Sequence, residues 1–391
     1  MRETTYTQTD SQTDRQRRRP RNSSLELLRI VAILIIIMHH FGVHGVFHVL
    51  DQSAHILTAD TFSWQMLFTQ LVCWGGGMGN AIFILITGYF MIGHPVHWKK
   101  LILLLMAMLF YSWIIVAIIY GGHFLPYTPK SLLREMFPIL FGANWFVSCY
   151  IIFSLFIPFI NIFLVHLTKF QYQVFLVLFF IMFAVLPAFK IATFFSNASI
   201  MFFFLVYACG GYLKIYGKKI IESNSHRRCL NAFLIMLVLL LASIVALDAS
   251  GLLLHKDGLL KGFMHFTQIL QIPMAVSLFL YFVTRPYFFN AGINHIAGTV
   301  LGIYLIHDND LMRTIIWDYI FPNLDYIESS WYVLFYVGKV LSVFAICSMI
   351  ELLRKRYIEP PLAAGVDRCW PTLQQAVHVV QIRWQRWTEG V

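Results

Sequence analysis

Residues 23–48 read SSLELLRIVAILIIIMHHFGVHGVFH, and they decide the fold. From Leu25 to about Leu50 the chain is almost continuously apolar, broken only by Glu26, Arg29 and a set of histidines. Roughly 20 such residues, rising ~1.5 Å each, cross a hydrocarbon core of ~30 Å. The stretch is too long for the core of a cleaved signal peptide and lacks a small-residue cleavage site. It therefore predicts a retained first transmembrane helix behind a polar, basic arm, residues 1–24, which ends RQRRRPRNSS.

Working outward, composition agrees. Hydrophobic residues make up 59% of the 391 and charged residues 12%, with a mean hydropathy of +0.69. A soluble chain carries about 25% charged residues, so the surplus apolar surface calls for a bilayer. Nine further stretches have the length and character of spans: 67–92, 101–120, 144–165, 172–189, 198–216, 230–250, 262–283, 297–317 and 331–353. The ninth of the ten is interrupted by Asp308, Asp310 and Arg313. The expected fold is all-α, a polytopic membrane helix bundle of about ten transmembrane helices. The membrane domain is expected over 25–360 and a cytoplasmic tail over 361–391.

The net charge of +10 does not mark a nucleic-acid partner. Lys and Arg fall instead in alternate loops, at Lys99 and Lys100, Lys169, Lys214 to Arg228, Arg285 and Arg354 onward. By the positive-inside rule those loops, and both termini, are cytoplasmic. The expected place is the cell membrane, as a multi-pass protein. The six cysteines form no CxxC pair, so neither a disulfide framework nor a zinc site is expected. The tail after Pro371, with Trp384 and Trp387, reads either as an interfacial helix or as a free cytoplasmic tail.

An ionisable group inside a bilayer is costly and marks function by default. Arg29 and His40 stand eleven residues apart, three turns plus about 20°, so they share a helix face about 16 Å apart along the axis. Glu26 precedes Arg29 by three and can pair with it. His39 points roughly 80° away from that face. Arg suits phosphate and imidazole suits proton transfer near neutral pH. A substrate with a phosphate head and a long reactive arm, such as acyl-coenzyme A, spans such a stripe, with His40 as general base. Two other readings stay open: Arg29 snorkelling to the interface, and His40 hydrogen-bonding a neighbouring helix. A third is a metal site on His40, His44 and His48, which recur every fourth residue. No second cluster of histidines and carboxylates accompanies them, so no metal is expected.

NSSLELLRIVAILIIIMHH, residues 22–40, resembles the opening of the bacterial membrane acyltransferase-3 family, whose first helix carries Arg, ten residues, then His. GNAIFILITGYFMIG (79–93), ANWFVSCYIIFSLFIPFIN (143–161) and GTVLGIYLIHDND (298–310) resemble later family segments in the same order. The likeness runs over roughly 22–360. It implies ten core helices and an O-acyltransferase that moves an acyl group, usually acetyl, from cytoplasmic acyl-CoA. The acceptor is a hydroxyl on a cell-surface or lipid-linked glycan. Arg29 would bind the donor, His40 would be the catalytic base, and Lys99 and Lys100 would contact phosphate, although an ordinary basic loop explains those lysines as well. Thr87 stands where the family commonly has Ser. No esterase-like domain is expected after the tenth span.

Other polar positions divide between a role in the site and a structural one. Asn144 and Trp145 are acceptor-pocket candidates, and Trp145 is equally an interfacial anchor. Tyr304, His307 and Asp308 either orient the base or form a buried hydrogen-bonded set. Lys339 is expected to pair with Asp308 or Asp310. His265 and Gln268 are candidate sugar contacts. No permanently bound cofactor is expected; acetyl-CoA is the donor substrate. The competing function is a transporter or flippase for a lipid-linked glycan.

Overall fold

The computed structural model describes residues 22–47, 57–189, 199–264 and 266–389. His48, His265 and most of the basic arm lie outside the described residues, as do the side chains of Gln268, Trp384 and Trp387. The described chain is helical, without a β-strand. The helices used below are α1 Ser23–Val43, α2 Trp64–Val72, α3 Gly76–Met91, α4 Trp98–Ile119, α5 Pro129–Met136, α6 Trp145–His166, α7 Lys169–Phe180, α8 Ser199–Tyr216, α9 His226–Leu254, α10 Thr267–Val283, α11 Ala291–Ala297, α12 Val300–His307, α13 Asp310–Thr314, α14 Tyr332–Tyr357 and α15 Glu359–Glu389.

Seven helical stretches are long and apolar enough to cross a membrane, and two shorter apolar helices, Ile200–Tyr216 and Ile269–Val283, accompany them. The protein is thus an all-α multi-pass bundle. Two expected spans are not single helices. The second is divided at Cys73–Gly75 into α2 and α3. The ninth is divided at Asp308–Asn309. There the Asn309 side chain accepts hydrogen bonds from the backbone N–H of Leu311 (3.0 Å) and Met312 (3.3 Å) and starts a new helix, α13. An Asn at that position competes with the helical ladder by offering its own acceptor, which is why it caps and breaks helices.

Helix α1 lies at the centre, packed against α3, α10, α11, α12 and α14. Its start is capped by Asn22, whose Oδ1 accepts from Ser24 N–H at 3.0 Å. Leu28, Ala32, Ile33, Ile36 and Ile37 along it are fully buried. Glycine controls how closely α3 meets its neighbours. A Cβ on Gly88 would strike the Tyr207 carbonyl of α8, and a Cβ on Gly210 would strike the Leu85 carbonyl of α3. The two backbones therefore touch through reciprocal small residues, which is how helices associate where lipid leaves no hydrophobic drive. Gly88→Val is expected to destabilise the detergent-solubilised protein by about 1–3 kcal/mol through overpacking. Thermal unfolding monitored by intrinsic fluorescence checks this; an unchanged midpoint would mean that α3 and α8 can separate freely.

The tail is helical from Glu359 onward. Its first turns dock on α4, where Lys99 Nζ bonds Asp367 at 2.6 Å and lies 5.5 Å from the centre of the Trp370 ring.

Candidate functional site

Basic residues from three helices converge. Arg29 of α1, Lys100 of α4 and Lys355 of α14 line one cavity of about 480 Å³, within the range of small-molecule sites. Glu26 joins them and takes both of its carboxylate oxygens to Arg29 Nη1, at 3.1 and 3.2 Å. The Arg29 side chain is 37% exposed, so this pair contributes little stability, about 0–1 kcal/mol. Its guanidinium keeps other N–H groups for a ligand. Lys355 reaches the carbonyl of Gly298, another cavity residue. Deeper in, the walls turn apolar and aromatic: Phe83, Leu104, Phe146, Val147, Leu301 and Tyr304, with the hydroxyls of Thr87 and Tyr150, which lie 3.3 Å apart.

His40 is not among the residues lining this cavity. It is buried one layer beyond, against the end of α12. His40 Nδ1 lies 3.0 Å from His307 Nε2 and 3.4 Å from Asp308 Oδ1. His307 Nδ1 lies 2.6 Å from the Ile303 carbonyl. These contacts assign the protons. A carbonyl only accepts, so His307 Nδ1 carries hydrogen and its Nε2 is a bare acceptor. His40 Nδ1 must then donate, which leaves the lone pair of a neutral His40 on Nε2. A proton gained there makes an imidazolium facing the Asp308 carboxylate. His307 and Asp308 end the helix just before the break, and both lie against His40 of α1.

Arg313 completes the cluster, and sequence reading saw it only as an interruption. Its Nε and Nη2 hold Asp308 Oδ1 at 2.8 and 2.7 Å, and its Nη1 holds Asp310 at 2.8 Å. The expected Lys339 partnership is therefore corrected. Arg313 sits on Asp308 and Asp310, while Lys339 bonds Asn323 Oδ1 at 2.9 Å and lies over the Tyr326 ring. A planar guanidinium five residues from Asp308 reaches both carboxylates, which a lysine from another helix cannot match in this geometry. His40, His44 and Asp308 also bring their ligand atoms within 4.8 Å of one another. Asp308 Oδ1, which faces both histidines, is also the oxygen Arg313 holds, so a metal ion bound through it would have to displace a buried positive charge.

The remaining candidates scatter. His39 bonds the Cys73 carbonyl and packs on Gly76, bridging the α2–α3 break. Lys99 faces Asp367 of the tail, away from its neighbour Lys100 in the cavity. Asn144 is buried at the start of α6 in the left-handed region, φ 47°, and donates to Ser112 Oγ at 3.2 Å. Trp145 is on the outer surface and does not line the cavity. Its neighbours Phe146 and Val147 do. Thr87 and Tyr304 are cavity residues, and His307 and Asp308 are fully buried beside His40. Lys355 was legible only as part of a basic loop.

The cluster continues to the far end of the bundle through α5. Arg134 bonds Asp310, and buried Glu135 accepts from Asn309 Nδ2 at 3.5 Å. Burial, reinforced by Asp310 and opposed by Arg134, Asn309 and Arg313, pushes the Glu135 carboxyl from 4.5 up to about 7. The folded group holds its proton more tightly than the free one, so its contribution to docking α5 is full below 4.5 and is lost as pH rises through about 7. Hydrogen exchange of 129–136 is expected to quicken as pH climbs through neutrality, beyond the intrinsic rate change, and Glu135→Gln is expected to remove that extra dependence. Equal behaviour of the two proteins would rule the carboxyl out as its source.

A family model described as an acyltransferase domain, that of the acyltransferase-3 family, matches residues 22–352. No curated protein and no solved structure matches the chain.

Proposed function

This chain belongs to the acyltransferase-3 family, and from that premise we propose that it is an O-acyltransferase taking its acyl group, acetyl by first expectation, from cytoplasmic acyl-CoA. The acceptor is a hydroxyl of a cell-surface or lipid-linked glycan, and the protein works in the cell membrane. What the chain is in coarser terms, a multi-pass membrane acyltransferase, is the ground on which this stands.

One observation carries the reading. A single cavity has cationic groups at one end, Arg29, Lys100 and Lys355, and an aromatic wall at the other, one side chain away from the buried His40–His307 pair. Phosphates of the donor suit the cationic end, where Arg29 can make charge-assisted contacts. The long arm suits the apolar passage. In the transfer step the acceptor oxygen bonds to the thioester carbonyl carbon as His40 Nε2 takes its proton. Asp308 stabilises the imidazolium through His40 Nδ1, and His307 holds the ring in the right tautomer. The C–S bond then breaks, and the departing CoA thiolate receives the proton from His40. Glu26 sets Arg29, while Thr87 and Tyr150 offer hydroxyls along the passage.

Purified protein in lipid nanodiscs supplied with acetyl-CoA tests this. CoA release should be measurable, slow with water alone and faster with membrane glycan extract. Arg29→Gln is expected to raise KM for acetyl-CoA about tenfold, or ~1.4 kcal/mol, with kcat nearly kept. If neither CoA binding nor CoA release is seen in the wild type, the donor assignment fails. Lipid-linked glycan moved between leaflets without acetyl-CoA consumption would make the protein a transporter.

A further inference from the structure

The donor cavity and His40 do not meet: Tyr304 in the cavity wall packs on His307, which in turn bonds His40. Tyr304 lines the cavity, stacks on Phe146 with ring centroids 5.3 Å apart, and meets His307 edge-on at 6.0 Å. Phe146 in turn packs on Phe83 and Phe203. The cavity therefore ends on an aromatic wall whose far side is the His307–His40 pair. That wall is held in an imperfect position. The Tyr304 hydroxyl is buried and faces the Asp308 carboxylate, yet neither it nor Asp308 Oδ2 makes a hydrogen bond of good geometry. Buried polar atoms are rarely left unpaired, so this arrangement costs free energy that a rotated ring can recover.

We propose that Tyr304 is a movable partition between donor and base, which selects transfer over hydrolysis. The proposal rests on the acyl-CoA reading above. With the ring closed, a bound thioester is kept from His40 and from any water that His40 would activate. When the ring swings aside, the thioester carbonyl comes within reach of the acceptor oxygen, and the reaction proceeds as described. The residue does no bond-making itself. It decides which oxygen, that of a glycan or that of water, reaches the carbonyl.

Two measurements test it. In acceptor-free nanodiscs, Tyr304→Ala is expected to raise acetyl-CoA hydrolysis several-fold over wild type. Tyr304→Phe, which keeps the ring, is expected to raise hydrolysis far less than Tyr304→Ala does. Tyr304→Leu serves if the alanine variant does not fold. Independently of activity, His40→Cys is treated with a small charged methanethiosulfonate, and the peptide containing residue 40 is read by mass spectrometry. Labelling is expected to be slow with Tyr304 present and fast with Tyr304→Ala, with CoA protecting. Fast, CoA-protected labelling with the tyrosine in place would overturn the partition, as would unchanged labelling and hydrolysis on its removal. Faster labelling in a protein that neither binds CoA nor hydrolyses acetyl-CoA would uphold the partition and remove the donor reading instead.

Discussion

His40→Ala is expected to lower acyl transfer by about 10²–10⁴-fold, the usual worth of a positioned general base, while CoA binding stays as in the wild type. The two halves of that expectation have separate structural grounds. His40 does not line the cavity that holds Arg29, Lys100 and Lys355, so donor affinity has no reason to change. Its Nδ1 is committed to His307 and Asp308, so the ring presents Nε2 alone. His40→Gln is expected to be as inactive as alanine, because an amide can keep a contact to His307 but cannot take a proton. His307→Ala should fall between wild type and His40→Ala, since it releases the tautomer without removing the base. Expression level, size-exclusion profile and CoA titration separate lost chemistry from lost fold. A His40→Ala protein that is folded and transfers acyl groups at the wild-type rate would remove the mechanism.

The second large effect concerns stability. Glu351 is fully buried in α14 and Arg354 nearly so. Arg354 Nε and Nη2 hold the two Glu351 oxygens at 2.7 and 2.9 Å, and the Tyr111 hydroxyl donates to the same carboxylate at 2.6 Å. Arg354 also reaches Glu359 at the start of α15, at 2.6 Å. Gly302 of α12 leaves room for the carboxylate, because a Cβ there would run into it. Glu351→Leu leaves the Arg354 guanidinium with Glu359 as its remaining carboxylate and the Tyr111 phenol without its acceptor, and is expected to cost about 3 kcal/mol. Replacing both partners, Glu351→Leu with Arg354→Met, is expected to recover much of the loss, since no buried charge is left unpaired and the half-exposed Glu359 can turn to solvent. Thermal unfolding of the three proteins in one detergent reads the difference. A double variant no better than the single would show that the pair itself, and not the avoided lone charge, supports the fold. Lys355 follows Arg354 directly, so the single variant should also weaken CoA binding by loosening that wall of the cavity.

Much of the architecture was readable from periodicity and length alone. The first span and the basic ends of the alternate loops follow from residue type, because a bilayer forces long apolar segments into helices whatever their neighbours do. Arg29 and His40 were identified the same way, as ionisable groups where they are expensive. The interruption of the ninth span by Asp308, Asp310 and Arg313 was visible too, but its outcome was not. A helix carrying three charges can bend, unwind or pair within itself, and the choice depends on what faces it.

Residue chemistry by itself determined that this is a membrane helix bundle, which loops are basic, and which side chains of the opening helix are ionisable where burial is costly. Only the folded arrangement decided their partners. Arg313, not Lys339, holds Asp308; Lys100, not Lys99, enters the cavity; and Tyr304 in the cavity wall packs on His307, the partner of His40. The physical reason is range. Burial in lipid acts on each segment separately and is written in its own residues, whereas a hydrogen bond or ion pair across 267 positions, such as His40 to His307, exists only once several helices have packed.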